Sequence, residues 1–335
     1  METLILSNPA YGFSQAVMRY WKPLVNSSAR IGPRKFLNAL YAEAERRAGR
    51  ITVRSMPLVL HLDPTNICNL RCPFCATGAG ENPVPKGNLT FSDFKKIFDQ
   101  LKDYLVITRL DGSGEPFLNP DIYRMVEYAS DSGVLSAIST NFTTLGEEGL
   151  KRILDSGLDY LIIALDGATK EVYEEYRIGA NFEKVIENIE SIVRLKKEYG
   201  KKNPFIEIQF IIFKHNEHQI EDMKSLSERL DVDRLVIKEG RDSLLKTEKQ
   251  KGSRGVHCYW LWYALNVSLM GEIKSCCLGG LVSPFSFGNI LVKDITGEWN
   301  NDAVRELRAL LTGRKKKADS MLKGCNCLTC YKVPY

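Results

Sequence analysis

The sequence predicts an α/β protein: a parallel sheet of repeated β/α units followed by a small cysteine-rich α+β module. Three observations carry this. From Pro57 to about residue 240, six short β-rich runs alternate with five amphipathic helices, the pattern of right-handed β/α units. The 335 residues are 44% hydrophobic and 26% charged, which excludes a disordered or fibrous chain and provides a core that needs no disulfide staples. The nine cysteines fall in two groups, three within Cys68–Cys75 and six in the last 78 residues, which suits metal binding better than disulfide pairing.

Taken in order, residues 1–56 read as a basic, helical N-terminal extension. The clearest helix is Pro33 to Arg50, with apolar residues at helical spacing. This segment holds nine Lys/Arg against three Asp/Glu, a net of +6 when the whole chain carries +5. A basic head on a near-neutral body predicts no specific nucleic-acid partner; the head is expected to brace the exterior of the core, with contact with an anionic substrate or a membrane surface as its alternative roles. The β-rich runs are Leu58–Leu62, Leu105–Leu110, Val134–Ser139, Tyr160–Leu165, Ile206–Phe213 and Arg234–Lys238. Helices fit between them at Phe91–Tyr104, Pro120–Ser132, Glu147–Ser156, Glu183–Tyr199 and Glu217–Leu230. In such a sheet the chemistry sits at the C-terminal ends of the strands. Residues 57–240 form the core, polar residues 241–257 a linker, and 258–335 the cysteine module with a helix at Asp302–Thr312. No apolar run reaches the ~18 residues of a spanning helix and no secretory signal opens the chain, so a reducing cytoplasm is the expected compartment.

The first cysteine group follows directly on a strand: His61-Leu-Asp-Pro-Thr-Asn-Ile-Cys68-Asn-Leu-Arg-Cys72-Pro-Phe74-Cys75. Soft thiolates so close together favour zinc or an iron–sulfur cluster. A structural zinc wants four ligands, and no fourth Cys or His follows nearby. Three thiolates on a four-iron cluster instead leave one iron open. This C-x3-C-x2-C loop, with an aromatic before its last cysteine, resembles that of the radical SAM superfamily.

The resemblance runs over roughly residues 57–240 and implies a partial (β/α)6 barrel. Asp111-Gly112-Ser113-Gly114-Glu115-Pro116 is similar to the family's Gly-Gly-Glu-Pro loop, with Ser113 where the first glycine usually stands. It implies that Glu115 accepts a hydrogen bond from the amino group of S-adenosylmethionine (SAM), and that backbone around Ser113 and Gly114 lines the same site. Ser139-Thr140-Asn141 resembles the Ser-Thr-Asn that contacts the ribose or methionine part; as bare residues these are also ordinary turn and cap formers. Ala164-Leu165-Asp166-Gly167, with Tyr173 and Arg177, resembles a further family stretch in which Ala164 replaces a serine. There Arg177 would fork onto the SAM carboxylate, with an ion pair to Glu174 or Glu175 as its plain alternative. Phe74 falls at the position that packs beside adenine. The family chemistry is reductive cleavage of SAM to a 5′-deoxyadenosyl radical, which takes a hydrogen atom from an unactivated substrate C–H inside a shielded site. An electron donor such as flavodoxin or ferredoxin is implied.

The later cysteines, Cys258, Cys276, Cys277, Cys325, Cys327 and Cys330, resemble the SPASM/Twitch extension, with Phe287-Gly288-Asn289-Ile290 and Trp299 as further markers. A full SPASM module carries a pair of auxiliary clusters and more cysteines than the six here. The shorter Twitch version implies one auxiliary 4Fe–4S cluster on Cys258, Cys276, Cys327 and Cys330, leaving Cys277 and Cys325 spare; a zinc site is the alternative. Lys238, Glu239 and Asp242, at the last strand's end, are placed to take a proton, and Gln209 to face the interior. The expected substrate is a small polar, sugar-like or lipid-linked metabolite undergoing oxidation or epimerisation. A peptide-modifying SPASM maturase is the alternative, although residues 1–56 are too few for its usual peptide-recognition domain. A non-catalytic iron–sulfur electron-transfer protein is a second alternative.

Overall fold

A computed structural model describes residues 1–6, 31–82, 84–239, 258, 260–276 and 285–329. The expected linker, Asp242, Cys277, Cys330 and residues 7–30 of the extension lie outside the described residues. Among the described residues the strands are β1 (Glu2–Leu6), β2 (Val59–Leu62), β3 (Ile107–Arg109), β4 (Leu135–Thr140), β5 (Tyr160–Ala164), β6 (Phe205–Ile212), β7 (Arg234–Glu239), β8 (Ala264–Val267) and β9 (Ile273–Lys274). The helices are α1 (Pro33–Arg47), α2 (Phe91–Asp99), α3 (Ile122–Asp131), α4 (Glu147–Asp155), α5 (Lys170–Tyr176), α6 (Phe182–Glu198), α7 (Ile220–Arg229), α8 (Trp260–Tyr263), α9 (Ile295–Glu298) and α10 (Asp302–Leu311).

The strands form one sheet in the order β1-β7-β6-β5-β4-β3-β2-β8-β9, parallel throughout except for the β8–β9 pair. The six expected strands are β2–β7, each beside its sequence neighbour. Right-handed crossovers in one direction put every helix on the same face, and the sheet curls into a partial barrel with the other face inside. Burial alternates accordingly. Leu60, Leu62, Ile138, Leu161, Ile163, Ile206, Ile208, Leu235 and Ile237 pack outward in the main core, against helix residues such as Phe94, Val126, Ile153, Ile189 and Met223. Val59, Ile107, Leu135, Ala137, Tyr160, Ile162 and Phe205 form a separate cluster on the concave face.

Three features differ from the sequence expectation. The extension opens with a strand, not a helix: β1 pairs parallel with β7 from Glu2↔Arg234 to Leu6↔Lys238. Glu2 there meets the buried Arg234 at 2.8 Å, adding a second acid to Glu207 at 3.8 Å from the same guanidinium. The cysteine module, in turn, is continuous with the sheet, because β8 pairs parallel with β2. Helix α5 lies where no helix was expected, and the expected Glu217–Leu230 helix begins as a 3₁₀ turn.

Helix α1 sits on the barrel by its polar side. Asn38 exchanges two bonds with the Met56 backbone, at 2.9 and 2.8 Å, and Lys35 donates to the Gly133 carbonyl at 2.6 Å. Glu45 accepts from Ser55 and the Arg54 amide. The module is bolted to the following segment: Trp299 donates to the Ser55 carbonyl, Trp262 to that of Arg50, and the buried Arg308 to those of Leu261 and Ile51.

Candidate active site

The cysteine loop leaves β2 at the C-terminal rim, the end where β/α barrels place their chemistry. Asn66 fixes its entry, donating to the Val84 and Pro85 carbonyls and accepting from the Gly87 amide at 2.8 Å. Cys72 is buried, Cys68 and Cys75 are half-buried, and Leu70, Tyr176 and Phe213 pack around them. Burial pushes the Cys68 and Cys72 thiols up, while Arg177 pulls both the other way and each thiol feels its neighbours' charge. Nitrogen donors face two of the sulfurs: the Leu70 amide at 3.5 Å and Asn141 Nδ2 at 3.8 Å from Cys68, and Arg177 Nη1 at 3.9 Å from Cys72. Among the described residues no three Cys, His, Asp or Glu converge on one point as single-ion ligands. Three soft thiols, mutually coupled and met by N–H donors, fit a polynuclear iron–sulfur cluster, which spreads its thiolates over separate irons.

The loop after β3 closes onto this one. Gly114 has no side chain because there is no room for one: a Cβ would lie 2.5 Å from the Ile67 carbonyl oxygen and 2.7 Å from that of Thr65. The contact lets the Glu115 amide donate to Ile67 O at 2.9 Å. Ser113 donates its hydroxyl to Asp63 at 2.8 Å, so its side chain braces the rim. The Glu115 carboxylate is buried, and burial raises its pKa. Oε1 accepts from Thr140 at 2.7 Å and the Phe117 amide at 3.2 Å, and Oε2 from the Asn141 amide at 2.7 Å. An ionised carboxylate accepts at about four positions, so these three donors leave one acceptor position on Oε2.

Ser139 is half-buried and shares the concave face with Ala137, whereas Thr140 points to Glu115. Asn141 is held by Asn69 and Thr143 beside Cys68. Arg177 does not make the ion pair given as its plain alternative. Neither Glu174 nor Glu175 holds it; the fully buried Asp166 does, through Nε at 2.8 Å and through Nη2. Asp166 thus occupies the Nε–Nη2 edge of the guanidinium, and Nη1 is aimed at Cys72. Asp166 raises the Arg177 pKa against the opposing effect of burial. Phe74 is exposed on one side and leans on Tyr176 and Phe213, with ring centroids at 5.9 and 5.5 Å. Tyr173 packs against Phe182, its buried hydroxyl without a hydrogen-bond partner among the described residues.

On the concave face the structure assembles a polar group that the sequence reading missed. His61 is held by Asn266 at its Nδ1 (3.0 Å) and by Asp111 at its Nε2 (2.5 Å). Arg109 pairs with Asp111 and holds its carboxyl well below the usual range. Asn266 Nδ2 is buried without a partner. Asp63, partly accessible on the same face, has its pKa pushed up to about 6 by desolvation, which outweighs His61 and the Ser113 hydrogen bond. The signal was present as alternation: Val59, His61 and Asp63 share one face of β2. Gln209 lies on that face and accepts a hydrogen bond from Lys238, a pairing the sequence did not suggest, while Glu239 is exposed.

In the C-terminal module, Cys325 is buried and in hydrogen-bond contact with Cys327, and Ser275, next to Cys276, also reaches Cys327. The Cys325 contact and burial together push the Cys327 thiol far up. The end of β9 and the 325–327 turn are thus brought together, and Cys325, expected to be spare, lies inside that group. Cys258 packs against the same core.

Comparison with known proteins agrees with this architecture. A radical SAM superfamily model matches residues 62–226, and an iron–sulfur cluster-binding SPASM model matches 258–331. The AdoMet-dependent heme synthase of Methanosarcina barkeri is 29% identical over 42% of this chain and 40% of its own length. The PqqA peptide cyclase of Bradyrhizobium diazoefficiens is 25% identical over 58% of this chain and 49% of its own. The chain thus spans less than half the length of these two curated relatives. Streptococcus suis SuiB, in its structure with the precursor peptide SuiA, shares the fold at a TM-score of 0.63, with 18% identity over 87% of this chain and 74% of its own. The two matched domains are those that hold 4Fe–4S clusters and bind SAM. The chain belongs to the radical SAM superfamily and carries a C-terminal SPASM-type iron–sulfur domain.

Proposed function

We propose that this enzyme modifies a peptide, abstracting a hydrogen atom from one of its C–H bonds. The match to a peptide cyclase across 58% of the chain carries this reading, and favours the peptide alternative over the small-metabolite expectation. When bound, the cluster and SAM supply the reductive cleavage that generates the abstracting radical. The chain's own residues bind and orient. Cys68, Cys72 and Cys75 hold the cluster; the open acceptor on Glu115 takes the SAM ammonium; Asn141, Ser139 and the Ser113–Gly114 backbone line the rim; Phe74 packs on adenine; and Arg177 Nη1 offsets charge near Cys72. Cys258, Cys276, Cys327 and Cys330 hold the auxiliary cluster, with Cys325 beside them. Asp63, titrating near neutrality next to His61, exchanges the substrate proton. A flavodoxin or ferredoxin supplies electrons, and the reduced thiols suit the cytoplasm.

The buried polar group around His61 and Asp111 equally suits a small polar metabolite, which is the second reading. Anaerobic incubation of holoenzyme with reductant, SAM and short peptides encoded beside the gene tests the two. A mass change in one peptide, matched by 5′-deoxyadenosine, is expected. Unmodified peptides alongside turnover of small metabolites would overturn the peptide assignment.

A further inference from the structure

Helix α1 is turned inside out. Its buried positions are Lys35, Asn38 and Ala42, and its exposed stripe is Phe36, Leu37, Leu40 and Tyr41, each more than half exposed, with Ile31 just before it. Residues at i, i+1, i+4 and i+5 lie on one side of a helix. The orientation is fixed, because the bonds of Asn38 to Met56 and of Lys35 to Gly133 hold the polar side against the barrel. A contiguous apolar patch of this kind marks a contact surface.

Charge says which contact. From Thr3 to Ala42 the sequence has no Asp or Glu but carries Arg19, Lys22, Arg30 and Arg34 besides the buried Lys35, together with Tyr11, Phe13, Tyr20 and Trp21. Arg34 and Arg47 flank the stripe, each also paired with one acid (Asp103 and Glu43), and exposed Arg50 and Arg54 follow. A second copy of the chain would bring two extensions (residues 1–56), each at net +6, against one another, and like charge opposes that pairing. The exposed apolar and aromatic side chains of α1, beside exposed Arg34, Arg47, Arg50 and Arg54, match an anionic lipid surface, where rings and aliphatic chains enter the acyl boundary and cations meet the headgroups.

We propose that α1 docks the enzyme on an anionic phospholipid bilayer, with Phe36, Leu37, Leu40 and Tyr41 as the inserted residues. The stripe faces away from the barrel, so docking leaves the concave face and the cysteine loop unchanged.

Vesicle flotation of the anaerobically reconstituted full chain tests this, using phosphatidylcholine vesicles with and without phosphatidylglycerol. Binding is expected only with phosphatidylglycerol, and it weakens as salt rises. The double variant Phe36→Glu/Leu40→Glu loses about tenfold or more of its partitioning, while retaining wild-type iron content and uncoupled SAM cleavage in solution. Equal flotation of wild type and variant overturns the proposal. So does binding to neutral vesicles alone, or a dimer in sedimentation that the variant abolishes. Failure of all vesicle binding, with the stripe protected from labelling by a copurifying protein, also overturns it and assigns the face to that partner.

Discussion

Gly114 is the point where the loop after β3 touches the cysteine loop, and Gly114→Ala tests whether that contact sets the site. The added methyl would meet the Ile67 carbonyl oxygen at 2.5 Å and its amide nitrogen at 2.9 Å, where ordinary contact begins near 3.4 Å. These are backbone atoms, so no rotamer change relieves the clash, and one loop must retreat by about 0.9 Å. Overpacking of this kind costs about 1–3 kcal/mol. The functional effect is larger. Ile67 immediately precedes Cys68, and the Glu115 amide bonds to Ile67, so the shift misplaces a cluster ligand and the SAM-facing carboxylate together. A misplacement of about 1 Å in a reacting geometry costs on the order of a hundredfold in rate. The assay is 5′-deoxyadenosine formation per loaded cluster, with thermal unfolding alongside. Gly146→Ala is the control, since nothing lies within 4 Å of its Cβ position. Wild-type SAM cleavage in Gly114→Ala, at full cluster occupancy, would refute the reasoning.

Further variants probe the buried charges. Asp63 has a folded-state pKa of about 6 against an ordinary 3.8, so the stability it contributes is fully present below the unfolded value and is lost as pH rises through about 6. Asp63→Asn removes that dependence: between pH 5 and pH 8 it should gain about 1 kcal/mol relative to wild type, read by denaturant unfolding, and parallel pH profiles would refute it. Asp166→Asn keeps an acceptor for the Ile211 amide but strands the Arg177 charge beside Cys72, and should cost about 3 kcal/mol; an unchanged melting temperature would contradict the buried pair. Cys72→Ala should remove about four irons per chain and abolish SAM cleavage while leaving the C-terminal module's absorption, and full iron retention would show that this thiol is not a ligand.

The parts of the molecule legible in sequence are those whose signal is contiguous. The six central strands are nearly continuous apolar runs, and the cysteine loop is read within fifteen residues. What escaped depends on distant partners. His61 meets Asn266 across the β2–β8 pairing, and nothing local announces that four residues, Ala264–Val267, extend the sheet. Sequence offers Arg177 only its neighbours Glu174 and Glu175 as ion-pair partners, but it is the residue that closes α5, and its side chain turns to Asp166 just beyond the end of β5. β1 was hidden because its apolar run lies in a segment read as helical. Helix α1 was placed correctly, yet its apolar periodicity implied a core-facing stripe and the structure shows the reverse, because Asn38 and Lys35 find backbone partners on the barrel.

The most direct test of the whole account is 5′-deoxyadenosine production by the anaerobically reconstituted, reduced protein supplied with SAM, set against the same measurement on Glu115→Gln. The wild type should form 5′-deoxyadenosine, with at least about a tenfold loss when the carboxylate acceptor is replaced by a neutral amide. A fully iron-loaded wild type that leaves SAM intact, with or without peptide, would contradict the account.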